Sequence, residues 1–93
     1  MAHPTLALHA RCSAGVAFQQ VGEETILLDL VGERYFGLDP VGTRIWQLLA
    51  AAPQLEQVHR VLCGEFDAEP ARIRDDLLAL VDELSSSGLV EIE

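Results

Sequence analysis

The chain has 93 residues with six arginines, no lysine and fifteen acidic side chains, for a formal net charge of −9. Hydrophobic residues make up 49% and charged residues 23%, the balance of one folded domain and not of a disordered tail. So acidic a surface repels nucleic-acid phosphates and anionic lipid headgroups, and so short a chain has no room for a two-domain catalytic cleft.

Residues 1–14 read as a flexible arm, with Pro4 and small residues but no sustained period. Met1–Ser13 lacks the continuous apolar stretch of a signal peptide, and no run approaches the roughly 20 apolar residues of a membrane helix. Cys12 and Cys63 are too few to staple a secreted mini-domain, so the expected compartment is the reducing cytoplasm. From residue 15 to 93 the chain is expected to form one domain. Val16–Val21 and Thr25–Leu30 have strand character and flank the turn Gly22-Glu23-Glu24. Val31-Gly32-Glu33 makes a second turn, and Arg34-Tyr35-Phe36-Gly37-Leu38 completes a three-stranded antiparallel meander.

At Asp39 the period changes. A carboxylate there can cap a helix, and Pro40 suits the first helical position because no amide hydrogen is needed. Ile45, Trp46, Leu48 and Leu49 mark the apolar face of a first helix, which ends at Ala50–Pro53. Leu55, Val58, Val61, Leu62 and Phe66 form the stripe of a second. Asp67–Pro70 starts a third, with Ile73, Leu77, Leu80, Val81 and Leu84 recurring at helical spacing until Ser85–Gly88 stops it. Leu89–Ile92 can return as a short edge strand. The order predicts an α+β fold, a three-stranded antiparallel sheet followed by three helices, compatible with a winged helix-turn-helix.

Catalytic groups are sparse. Ser13 and Ser85–Ser87 lack a nucleophile-elbow context, and neither cysteine has a base at a recognised spacing. His59 and Cys63 share a helix face, and His3, His9 and Cys12 could complete a zinc set, but compact ligand pairs are missing, so no metal or other cofactor is expected. Asp75-Asp76 and Asp82-Glu83 read as a solvated helix face. As a DNA-reading helix, the third would present two arginines and four acids between Arg72 and Glu83, which disfavours phosphate. The third strand of the meander is more informative. If it lies at a sheet edge, its outward amides and carbonyls are free to receive a peptide as an added strand. Tyr35 and Phe36 then point to opposite faces. Leu78 lies outside the third helix's apolar stripe, where it can line a groove beside that edge.

Tyr35-Phe36-Gly37-Leu38-Asp39-Pro40-Val41-Gly42-Thr43-Arg44-Ile45-Trp46-Gln47-Leu48-Leu49 resembles the strand-to-helix signature of PqqD-like proteins, the recognition elements of ribosomal peptide natural-product pathways. The resemblance runs from about Val16 to Ile92 and excludes the arm before Gly15; Asp39 stands where Asn is usual, and either residue caps a helix. It implies a non-catalytic winged helix-turn-helix domain that pairs the leader of a precursor peptide with its third strand, in a groove against its third helix. A free-standing member of this size looks most like the leader-binding protein of a lasso-peptide pathway, which works with a separate cysteine-protease leader peptidase. The alternative is the precursor chaperone of pyrroloquinoline quinone biosynthesis, whose partner is a radical SAM enzyme. Carried onto this chain, Glu33–Leu38 (Glu33, Arg34, Tyr35, Phe36, Gly37, Leu38) supplies the pairing backbone. Tyr35 or Phe36 with Ile73, Leu77, Leu78 and Val81 lines apolar pockets. Arg34, Arg74, Asp75 and Asp82 hold polar leader atoms at the rim.

Overall fold

The structure, a computed structural model, describes residues 4–93; His3 lies outside the described residues. The elements are β1 (Ala10–Cys12), β2 (Val16–Val21), β3 (Glu24–Asp29), β4 (Arg34–Leu38), α1 (Pro40–Ala51), α2 (Leu55–Glu65), α3 (Pro70–Ser86) and β5 (Val90–Ile92). The meander strands precede the three helices, the α+β order expected. β2, β3 and β4 form an antiparallel sheet in that spatial order. The third meander strand is therefore β4, and it lies at an edge.

A second, two-stranded sheet departs from the reading of residues 1–14 as a loose arm. Ala10–Cys12 pairs antiparallel with Val90–Ile92, and Ala10 is fully buried. Three residues are too short to show a period, and their partner lies at the other end of the chain. Arg11 reinforces the closure by donating from Nε and Nη2 to the two carboxylate oxygens of Glu93 at 3.1 and 3.3 Å. Cys12 and Cys63 are both free thiols, and partial burial pushes the Cys12 pKa up.

Strand register sorts the side chains of the meander. Phe18, Leu27 and Phe36 are aligned across the sheet, as are Thr25 and Leu38. Leu27, Thr25 and Leu38 are buried, so this face meets the helices. Ile26, Leu28, Tyr35 and Gly37 belong to the opposite face because side chains alternate along a strand. Leu27 packs into one core with Ile45 and Trp46 of α1, Val58 and Leu62 of α2, and Leu77, Val81 and Leu84 of α3. α1 and α2 are also tied by Arg44, whose Nε and Nη2 donate to Glu65 at 2.7 and 2.6 Å.

The helices stop where local chemistry requires it. Asp39 is the N-cap of α1: its Oδ1 accepts from the Gly42 amide at 2.7 Å, with Pro40 in the first turn. α3 ends where Gly88 adopts φ +75°, a region open to glycine and costly for most residues. No helix among the described residues is long and apolar enough to cross a membrane.

Replacing the Asp39 cap should lower unfolding free energy by about 1 kcal/mol in Asp39→Ala, while Asp39→Asn retains most of it. Urea unfolding at constant slope measures the difference. Equal loss in both variants would contradict a capping role.

Candidate functional site

β4 is held at both ends. At its start, Asp29 Oδ1 accepts from the amides of Val31 and Gly32, each at 3.1 Å, and closes the β3–β4 turn. A Cβ at Gly32 would sit 2.6 Å from Asp29 Oδ2 and would push the carboxylate out of this turn. Arg34 Nη2 reaches Asp29 Oδ2 at 3.3 Å and the carbonyl of Ser87, just past α3, at 3.0 Å. These bonds join the start of β4 to the end of α3. At the other end, Leu38 runs directly into the Asp39 cap of α1. The amides and the guanidinium around Asp29 hold its carboxyl below the usual range.

Between these anchors the outer edge of β4 is open. Among the described residues, the backbone of Arg34–Leu38 makes no backbone hydrogen bond outside its ladder with β3. Beside that edge lies a groove of about 520 Å³ lined by Phe36, Gly37, Leu38, Asp39, Val41, Gly42 and Ile45 from β4 and α1, and by Asp76, Leu80 and Glu83 from α3. A side pocket of about 110 Å³ shares Val41, Ile45 and Asp76 with it and runs between Leu62, Phe66, Ala68, Ile73 and Leu77. Its lining is apolar except for Asp76.

The structure brings together only part of the set named from sequence. Phe36, Gly37 and Leu38 line the groove, and Ile73 lines the side pocket. Tyr35 is 77% exposed and stands on the opposite face of the sheet from Phe36. Glu33 is outside the strand, in a left-handed turn with φ +54°. Arg34 is occupied with Asp29 and Ser87. On α3, Leu77 and Val81 are fully buried, Leu77 also bordering the side pocket. Arg74, Asp75, Leu78 and Asp82 do not line the groove: at 3.6 residues per turn they fall on the far flank and back of the helix. Leu78 instead packs half-buried against the core, and Arg74 donates to Asp75 at 3.1 Å.

The groove side of α3 is Asp76, Leu80 and Glu83, spaced i, i+4, i+7 along one flank of the buried stripe. Leu80 was legible as apolar, but its two acidic neighbours were not distinguishable from a solvated face. Nor are the zinc candidates gathered into one place. Among the described residues no three His, Cys, Asp or Glu side chains stand where they could hold a metal ion. The His59 ring nitrogen Nε2 lies 2.8 Å from the Pro70 carbonyl and 3.4 Å from Cys63 Sγ.

A family profile described as coenzyme PQQ synthesis protein D (PqqD) matches residues 24–90, more than half of the chain and the whole span from β3 to the start of β5. The chain belongs to the PqqD family. A relative described as a PqqA binding protein, from Xanthomonas axonopodis pv. citri (strain 306), is 32% identical over 79 residues, covering 85% of this chain and 86% of its own. TbiB1, solved in complex with the TbiA(beta) leader peptide, is similar with a TM-score of 0.83 and 32% identity, covering 87% of this chain and 94% of TbiB1. A lasso peptide synthetase B1 solved with a leader peptide shares the fold at a TM-score of 0.80 and 24% identity, over 89% of this chain and 98% of its own. The PqqD match contains every residue that lines the groove.

Asp29 links this geometry to pH. Its folded pKa is lowered, so the stability it contributes is present above the ordinary aspartate value near 4 and is lost as pH falls through the lower folded value. The thermal midpoint of Asp29→Asn should therefore fall below wild type at pH 6, with the gap closing as pH falls below the ordinary aspartate range. A gap independent of pH would contradict the assignment.

Proposed function

We propose that this PqqD-family chain is a non-catalytic recognition protein. It binds the leader of a ribosomally made precursor peptide as an added strand on β4 and presents it to a separate cysteine-protease leader peptidase, in cytoplasmic lasso-peptide biosynthesis. The observation that carries this reading is the unpaired edge of β4 beside the 520 Å³ groove against α3. TbiB1 and the lasso peptide synthetase B1, both solved with leader peptides, support the assignment of an occupant.

Main-chain bonds to β4 supply affinity that is indifferent to sequence, and Phe36, Leu38, Ile45 and Leu80 supply apolar walls that select side chains. Ordering a flexible leader opposes binding, so affinities between micromolar and nanomolar, about −8 to −12 kcal/mol, are expected. Holding leader and peptidase together raises the effective concentration of the cleavage site without any bond-making by this chain. A second reading, delivery of a precursor to a radical SAM enzyme in pyrroloquinoline quinone biosynthesis, is favoured by the 32% identity to the PqqA binding protein. It uses the same groove and differs in the enzyme served. Winged-helix binding to DNA is opposed by Asp76 and Glu83 on the groove face of α3.

Peptides spanning the N-terminal parts of short reading frames beside the gene provide the test, titrated against the whole chain. One should bind with 1:1 stoichiometry. Leu80→Asp should weaken it at least tenfold with the thermal transition retained. Leu78→Asp, where folded, should bind like wild type. Equal weakening by both, or binding insensitive to Leu80, would remove the groove from the account.

A further inference from the structure

The groove's charged side chains are all acidic: Asp39, Asp76 and Glu83. Asp39 Oδ1 is already engaged by the Gly42 amide. Glu83 forms no ion pair among the described residues, and Asp76 has only Arg72 at 3.9 Å, an exposed i,i+4 pair beyond hydrogen-bond length. Nearby cations are committed elsewhere: Arg34 to Asp29 and Ser87, and Arg74 to Asp75 on the other flank of α3. The groove thus has an apolar floor and two carboxylates on one wall, of which, among the described residues, Glu83 has no cation and Asp76 only the exposed Arg72 at 3.9 Å.

We infer that the peptide received by this groove is basic where it passes α3, a Lys or Arg side chain meeting Asp76 and Glu83 next to an apolar side chain that packs on Leu80 or enters the neighbouring pocket. This rests on the reading of the groove as a peptide site and specifies the occupant. Asp76 and Glu83 are separated by seven residues, or about 10 Å along the helix. A passing strand advances about three residues over that distance, so the long stem of one basic side chain can meet either carboxylate while an apolar side chain two residues away, on the same face of the strand, stays on the apolar floor. Asp76 borders both groove and side pocket, which puts a negative charge at the mouth of a site that takes an apolar group. The net charge of −9 adds long-range attraction for such a peptide.

The test presents the whole chain to a phage-displayed library of random twelve-residue peptides and repeats the selection with the double variant Asp76→Lys, Glu83→Lys. Both positions are exposed, so the variant should fold, and its thermal transition verifies that; Asp76→Asn, Glu83→Gln serves as a neutral second variant. Wild type should enrich Lys or Arg close to a large apolar residue. The charge-reversed variant should enrich Asp or Glu there and bind wild-type-selected peptides at least tenfold more weakly, the neutral variant about two- to tenfold more weakly. Enriched peptides that are apolar and of the same charge for all three proteins overturn the inference and leave the peptide site standing. Basic peptides enriched equally against all three also overturn it, because general attraction to an acidic protein explains them. Failure of any peptide to enrich in a Leu80-dependent way overturns the underlying reading, and this inference with it.

Discussion

The functional account depends on one constraint: β4 is fixed along its inner side and at both ends, while its outer side has no backbone partner among the described residues. β3 holds the inner side through five aligned residue pairs. Arg34 ties the start of the strand to Asp29 and to the carbonyl just beyond α3, and Leu38 delivers the other end into the capped start of α1. Unpaired edge groups facing water cost little, but they are a template for any extended chain that approaches. α3, running beside the edge, turns that template into a groove with two walls.

In the proposed peptide complex the two walls contribute different things. A backbone ladder on β4 is available to almost any sequence, so it gives affinity without discrimination. Discrimination falls to what the added strand's side chains meet: the apolar floor of Phe36, Leu38, Ile45 and Leu80, the side pocket toward Leu62 and Phe66, and the carboxylates of Asp76 and Glu83. The carboxylates are exposed and screened by salt, so they favour one class of peptide and hasten encounter more than they deepen affinity. Removing the apolar floor from water contributes more to holding the peptide than the exposed charges do.

Much of the fold was legible because its signals are local. The switch from strand period to helix period at Asp39, the Pro40 that follows it and the Ser85–Gly88 stop are each decided within a few residues, and the meander order placed Arg34–Leu38 at an edge. The strand at Ala10–Cys12 was hidden because it exists only through pairing with Val90–Ile92, across nearly the whole length of the chain. The site was half legible for a related reason. Periodicity identifies Ile73, Leu77, Val81 and Leu84 as the buried stripe of α3, but it is silent on which flank of that stripe faces β4. That choice is set by how α3 packs against α2 and β5. Leu78 and Asp82 suit a groove by residue type but lie on the flank away from the groove beside β4; Asp76, Leu80 and Glu83 line it. Glu33 lies in the turn with a left-handed backbone, and the Arg34 side chain is engaged by Asp29 and the Ser87 carbonyl, so neither side chain lines the groove although the Arg34 backbone belongs to the open edge.

Amide hydrogen exchange of the whole chain with and without a bound leader peptide tests the central claim most directly. Strand addition predicts new protection on alternate amides within Arg34–Leu38, with little change in β2 at the opposite edge. Saturating peptide that leaves those amides unprotected, or that protects the β2 edge instead, would contradict it.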